Sequence, residues 1–599
     1  MRPPKKDVAL GRRRRLIGGL LALTLSGIAY VNVFNNPFVY DDYDTVIANP
    51  SLADLSNVMF VLVHSPFRPV VNISYALDRG IWGFWAPGFH MTNVLLHAMV
   101  VGLLYAFIVR ALSDTRVRVS GGSLDWRDPG RFDAWAACTA ATMFGVHPLM
   151  TEAVAYVSGR SELLVGVFFL SALLCGRAAL VAPLSANVGR RRVRLIRSTI
   201  ATIVFGILAL FSKEIGGVLP FVLFLYDQLI VPGSAERRHW RLLHVFVPAF
   251  ALIGAVAIVR YVFFPLPASA TGAAPLLSLL TNSIVIWRYL GLLFWPDGQS
   301  IMHAVHHVTS LGDLKAWTAL GAIVLLILAS LKLRRVAPLV PFGALWFVVV
   351  IAPSSSILAL REGMAEHRAY LASAGIAIAF ARVGMLLFGA LSRGKAGLPQ
   401  SYASALVLLA ALLTTLTLTR NEVWSSPIRL WAEAVERSPG MWEPRYALGD
   451  VLRQRGRCLE AIPHYRLVVH LRPTNRDAFT NLGICLAQTG HLQEAELAFK
   501  RTVDLDPGYA RAYTNLGALS IVSGNMDAAR DYYLHALTVE PRSVLARMQL
   551  AHLYEATYHD YHGAARMCGE AGAIAPATPG VVECVQRNQK LAGTNDGAR

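Results

Sequence analysis

The chain has 599 residues, 54% of them apolar and only 16% charged, with a mean hydropathy of +0.45, values that exclude a wholly soluble protein. Its net charge of +18 is unevenly placed: residues 420–599 hold 20 Lys and Arg against 19 Asp and Glu, whereas residues 1–419 hold 36 against 19. In that first part the basic residues form short clusters between apolar stretches long enough to cross a bilayer, so they read as topology signals rather than as a nucleic-acid surface.

The first apolar segment, 16–34, follows Arg12, Arg13, Arg14 and Arg15, which hold the N-terminus in the cytoplasm. Gly27-Ile28-Ala29 also fits a signal-peptidase site, but a retained anchor is the favoured reading. Further spans are predicted over 90–111, 133–148, 161–182, 198–211, 215–231, 243–264, 314–333, 336–352, 371–391 and 401–419, about 11 in all. Residues 279–295 are apolar but contain Arg288 and end at Pro296. Counting them as a span would put Lys332, Arg334 and Arg335 outside, so they are read as an interfacial or re-entrant helix. The loops assigned to the cytoplasm then carry 24 Lys and Arg and the outer loops 7, which predicts an inner N-terminus and an outer C-terminus.

Beyond Arg420 a 34-residue period replaces the apolar runs, over 442–475, 476–509 and 510–543. Leu448-Gly449, Leu482-Gly483 and Leu516-Gly517 recur in register, with Gly456, Gly490 and Gly524 at the inner turn and Pro473, Pro507 and Pro541 at the stop. Ala461, Ala495 and Ala529 mark the helix crossing, and Tyr465, Phe499 and Tyr533 the aromatic filler. This is the tetratricopeptide signature. A weaker fourth unit covers 544–579. The predicted organisation is a membrane domain over 1–419, a connecting half-repeat over 420–441, the repeats over 442–579 and a tail over 580–599. The six cysteines show no zinc-ligand spacing. In an oxidising outer compartment those of the soluble part can pair, Cys568 with Cys584 enclosing a short segment; buried free thiols are the alternative.

Ionisable residues near membrane depth are expensive, and this chain collects them on one predicted side. Asp41, Asp42 and Asp44 follow the first span. Asp42-Tyr43-Asp44 fits a three-letter DxD metal motif, which leaves a divalent metal open, although an acidic pair in a loop more often makes a turn or a cap. His90, Asn93 and His97 share one face of the second span. His147-Pro148 and Glu152 follow the third, Arg160 and Glu162 open the fourth, Lys213-Glu214 breaks two apolar runs, and Arg361, Glu362, Glu366, His367, Arg368 and Tyr370 precede the tenth. Taken singly, these are a bundle histidine, a snorkelling lysine and a local salt bridge. Together they suit transfer of a group from a lipid phosphate, in which a carboxylate takes the acceptor's proton and cations stabilise the departing phosphate.

In this order, Tyr40-Asp41-Asp42, Phe67-Arg68-Pro69, Gly88-Phe89-His90 through His97, His147-Pro148 through Glu152 and Gly159-Arg160, Ser212-Lys213-Glu214, the Ala365-to-Tyr370 run and the repeat array resemble the transmembrane tetratricopeptide-repeat O-mannosyltransferases. Animal members of that family glycosylate cadherins, and it has bacterial relatives. The resemblance implies a GT-C-like helix bundle followed by an α-solenoid, hence an all-α fold, with a polyprenyl-phosphate sugar donor and a polypeptide acceptor on the outer side. It implies Asp41 or Asp42 as the catalytic base. Arg160, Lys213, Arg368, His90, His97, Glu214 and His367 become candidates for binding the donor phosphate or substrate. Ala372 departs from the pattern, which has proline there, and the array is shorter than in animal members.

The leading expectation is therefore a bacterial inner-membrane glycosyltransferase with periplasmic repeats that bind the acceptor polypeptide, and with no nucleic-acid partner. A non-catalytic membrane scaffold is the alternative, but it needs no charged cluster on one face. A lipid transporter would instead place charges through the midplane of an inverted repeat.

Overall fold

A computed structural model of the protein describes residues 5–119, 131–181, 188–231, 233, 235–263, 275–354, 362–391, 400–576 and 580–596. Among them there is no strand, and the chain divides into two compact units, 1–430 and 431–599.

The first unit opens with α1 (Lys5–Ala29), followed in a long loop by α2 (Val58–His64) and α3 (Pro69–Trp82). Then come α4 (Ala86–Val119), α5 (Arg131–Gly145), the single-turn α6 (Thr151–Val154), α7 (Arg160–Val181), α8 (Val188–Ser212), α9 (Leu219–Leu229), α10 (Ala235–Arg241) and α11 (Val247–Phe263). The rest are α12 (Pro275–Phe294), α13 (Leu314–Lys332), α14 (Leu339–Ile351), α15 (Tyr370–Leu391) and α16 (Gln400–Trp424). Among the described residues, eight segments, on α1, α4, α7, α8, α12, α13, α15 and α16, are long and apolar enough to cross a membrane. α11 and α14 hold shorter apolar segments, and α5 and α9 are 15 and 11 residues long.

Polar contacts sort the helix ends into two groups. At one end His90 of α4 meets the Asn36 carbonyl just past α1, and His97 and Ser26 converge on the Gly145 carbonyl that closes α5. Tyr370, opening α15, meets His97, and Asn421 of α16 donates to Ala29. At the opposite end Tyr105 donates to the Arg15 carbonyl, while Asp114 of α4 gathers Arg177 of α7 and Tyr226 of α9. Asp227 and Arg241 pair there before α11 sets out along α8, and the turn after α14 returns to Glu214–Val218 at the first end. Among the described residues, α1, α4 and α7 thus have contacts at both ends.

In α12, Ser283 donates to Ala316 in the first turn of α13, Val308 donates to the Thr281 hydroxyl, and His147 meets the Leu293 carbonyl. Expected as an interfacial helix, it is by length and composition able to cross a membrane. α16 leaves the unit at the end where His147 lies, with Trp424 stacked on Tyr156 at 5.6 Å.

α17 (Pro427–Arg437) precedes the repeats: α18 (Glu443–Gln454) with α19 (Cys458–Leu471), α20 (Arg476–Gln488) with α21 (Leu492–Leu505), α22 (Ala510–Val522) with α23 (Met526–Val539), and α24 (Val544–Leu553) with α25 (Tyr561–Ile574). Gly456, Gly490 and Gly524 turn the first three pairs with φ of +74°, +84° and +81°, a left-handed backbone that glycine adopts without steric cost. Residues 580–599, expected as a tail, carry α26 (Val581–Asp596), whose Val581, Cys584 and Asn588 are buried. A solenoid needs its last face covered, and one helix without a repeat partner leaves no period to read. Cys458 is bonded to Cys485 and Cys568 to Cys584, with Cα separations of 4.9 and 5.9 Å.

Candidate active site

The site end is organised by a strained turn. Tyr40 has φ of +50°, uncommon for a bulky residue, and it sends the two following carboxylates in opposite directions. Asp42 points inward and is fully buried. Its Oδ2 accepts from the Val39 amide at 3.0 Å, and its Oδ1 from the amide and hydroxyl of Ser158, both at 2.7 Å. Burial pushes its carboxyl up to about 7, against the lowering effect of those hydrogen bonds. Asp41 is exposed. Its amide donates to the Tyr156 hydroxyl at 3.1 Å, and its side chain hydrogen-bonds the same hydroxyl.

Opposite this turn stand the residues that open α15. Tyr40 donates to Glu362 Oε1 at 3.4 Å, and Arg368 donates to the Glu362 carbonyl at 2.9 Å, which ties the Asp41 turn to the 362–368 segment. His367 is clamped by Glu152: Nδ1 lies 2.6 Å from Oε1, and its amide donates to Oε2 at 3.0 Å. Glu152 is brought there by local sequence. The His147 ring accepts from the Leu149 amide as an N-cap, and Pro148 occupies the first helical position, starting the short turns that lead into α6. Glu366 faces the other way and accepts from Ser300, His303 and Gln299. Lys213 pairs with Glu162, and both lie within electrostatic reach of His367, as do Arg368 and Glu362. Arg68 pairs with Glu214 at 3.1 Å on the exposed rim.

Three other predicted residues lie in the walls. Arg160 is completely buried; Nη2 lies 2.6 Å from Asp78 and also donates to the Phe89 carbonyl, Nε donates to Asn93 at 2.8 Å, and Nη1 donates to the Ser74 carbonyl. The preceding Gly159 is required because a Cβ there would stand 2.6 Å from the Glu152 carbonyl oxygen. His90 and His97 are buried, each on a backbone carbonyl. Thus Asp41, His367, Arg368 and Glu214 belong to the open cluster or its rim, and Asp42, Arg160, His90, His97 and the buried, Glu162-paired Lys213 to its supports. Arg361 lies outside the described residues.

Tyr156 and Ser158 escape a reading by residue type. Tyr156 stacks between Tyr40 and Trp424, and Ser158 holds Asp42, yet a tyrosine and a serine in an apolar stretch carry no distinguishing signal. Among the described residues no three His, Cys, Asp or Glu side chains converge as a metal would require, and in the DxD triplet Asp42 is buried on Ser158 while Asp44 is exposed.

The tetratricopeptide repeat family model matches residues 428–476, 446–510 and 480–542. A Caenorhabditis elegans protein named protein O-mannosyl-transferase F38B6.6 is 24% identical over 503 residues, covering 79% of this chain and 65% of that protein. The human protein O-mannosyl-transferase TMTC1 is 25% identical over 522 residues, covering 76% of this chain and 55% of that protein. The chain thus spans between about half and two thirds of the length of these curated relatives. A crystal structure of MamA is similar at 24% identity and a TM-score of 0.23, over 24% of this chain and 85% of that one. The curated relatives bear out the family resemblance carried by the motifs.

Proposed function

From its similarity to the protein O-mannosyl-transferases as premise, we propose that the chain transfers a sugar, mannose or a close analogue, from a polyprenyl phosphate to a hydroxyl of a polypeptide. The observation that carries this reading is the division of labour between adjacent carboxylates: Asp42 is spent on Val39 and Ser158, while Asp41 stands exposed beside Tyr156 and across from Arg368 and His367. Asp41 removes the proton of the acceptor hydroxyl as its oxygen attacks the anomeric carbon. The bond from that carbon to the phosphate oxygen breaks, and Arg368 and His367 stabilise the charge left on the lipid phosphate. Asp42, Arg160, Lys213 with Glu162, His90 and His97 hold the walls.

The sidedness follows from the loop charges. α16 leaves the bundle at the Asp41 end, and the basic clusters favour the cytoplasm for the opposite end, so transfer takes place on the extracytoplasmic face with the repeats in the same compartment. Stacked helix pairs of nearly balanced charge suit an acceptor polypeptide rather than nucleic acid. Incubation of the purified chain with a panel of polyprenyl-phosphate sugars and a Ser/Thr peptide tests the proposal. Release of lipid phosphate with stoichiometric glycopeptide is expected; no turnover with any donor would favour a membrane scaffold.

A further inference from the structure

The six cysteines divide by unit: Cys138 and Cys175 in the bundle are unpaired, whereas all four in the repeat unit are bonded in two pairs. The positions of those pairs are informative. Cys458 opens α19, the second helix of the first repeat, and Cys485 lies in α20, the first helix of the second, so this bond crosses the interface between the first two repeats. Cys568 lies in α25 and Cys584 in α26, so the other bond joins the last repeat to the helix that covers it. Helices α21 to α24, in the middle, contain no cysteine.

A solenoid is held by nearest-neighbour contacts alone, and its terminal units, each with one neighbour, fray first. Both bonds therefore fall on interfaces where opening would begin. We infer that Cys458–Cys485 and Cys568–Cys584 are oxidative staples of the two ends of the array, installed by a thiol–disulfide oxidant of the compartment in which the repeats fold. In each step two thiols lose two protons and two electrons, one S–S bond forms, and the oxidant's disulfide is reduced to a dithiol. The Cα separations lie within the range a disulfide spans without backbone movement. All four residues are at most 5% exposed, which shields the finished bonds from attack by external thiolates. The inference stands independently of the sugar-transfer reading.

The test traps free thiols at lysis in membranes containing the full-length chain, using a first maleimide in denaturant, then reduces and labels with a second. Peptide mapping should find the second label at Cys458, Cys485, Cys568 and Cys584 and the first at Cys138 and Cys175. Hydrogen exchange on the purified chain then reads the staples: reductant should speed exchange in α18–α19 and α26 by about tenfold or more and leave α22–α23 little changed. Predominant first label at either pair, or terminal exchange insensitive to reductant once the bonds are cleaved, overturns the inference. Neither measurement depends on transferase activity.

Discussion

Asp41→Asn and Asp42→Asn, made separately, divide catalysis from architecture. At Asp41 the substitution removes the proton acceptor but keeps the shape, and the side chain is exposed, so stability should stay within about 0.5 kcal/mol of the parent. Losing a positioned base costs on the order of 10² to 10⁴ in transfer rate, or about 2.7 to 5.5 kcal/mol in the barrier. At Asp42 both carboxylate oxygens accept, one from Val39 and the other from Ser158. An amide can present oxygen to only one of these neighbours and must turn its NH₂ toward a backbone N–H at the other. A buried donor facing a donor costs about 1 to 3 kcal/mol, seen as a melting temperature lowered by a few degrees in detergent. The two variants should also differ with pH. Burial raises Asp42 to about 7, so its contribution to stability is greatest below the ordinary carboxylate range, falls as pH rises toward 7 and is level above it. Asp42→Asn removes that decline, and Asp41→Asn keeps it. Glycopeptide formation and thermal unfolding decide the assignment. Near-native turnover of Asp41→Asn, or an undiminished melting temperature in an inactive Asp42→Asn, would reverse the assigned roles and refute the reasoning.

Arg160→Met strands the Asp78 carboxylate in a buried site, and should cost about 3 to 5 kcal/mol, seen as loss of monodisperse protein on size-exclusion chromatography; Arg160→Met with Asp78→Leu should recover much of it. Gly483→Ala places a Cβ 2.5 Å from the Phe499 ring, whereas Gly449→Ala meets Tyr465 at 3.1 Å. The first should therefore destabilise the array by about 1 to 3 kcal/mol and the second by less, a ranking that denaturant unfolding followed in the repeats can check. Removal of residues 442–599 should impair transfer to a polypeptide more than to a small hydroxyl acceptor; equal loss on both would make the array a folding aid.

The apolar periodicity and the 34-residue repeat made the fold class legible because each depends on residues close in the chain. Arg288 and Pro296 suggested an interfacial role for α12, yet its length and hydropathy admit a span, since one charge and a terminal helix breaker do not outweigh twenty largely apolar residues. The capping of the array by α26 was not visible, because nothing in 580–599 names the neighbour it covers. The site was legible in its ingredients and illegible in its pairings. Glu152 and His367 are 215 residues apart, Tyr40 and Glu362 322 apart, and Tyr156 meets the Asp41 turn through ring stacking and its hydroxyl.

The same distinction separates Arg160 from Arg368, which sequence reasoning placed together as cations for a phosphate. A guanidinium near membrane depth is costly, and the cost is offset either by groups of the fold or by a ligand. Arg160 meets Asp78, Asn93 and two carbonyls with no side-chain exposure, so its charge is already answered by the walls. Arg368 reaches the Glu362 carboxylate only at 3.7 Å, and its side chain keeps 10% of its surface open beside Asp41's turn. Residue type is alike for the two; the partners they meet separate the one that supports the fold from the one the proposed mechanism assigns to the phosphate.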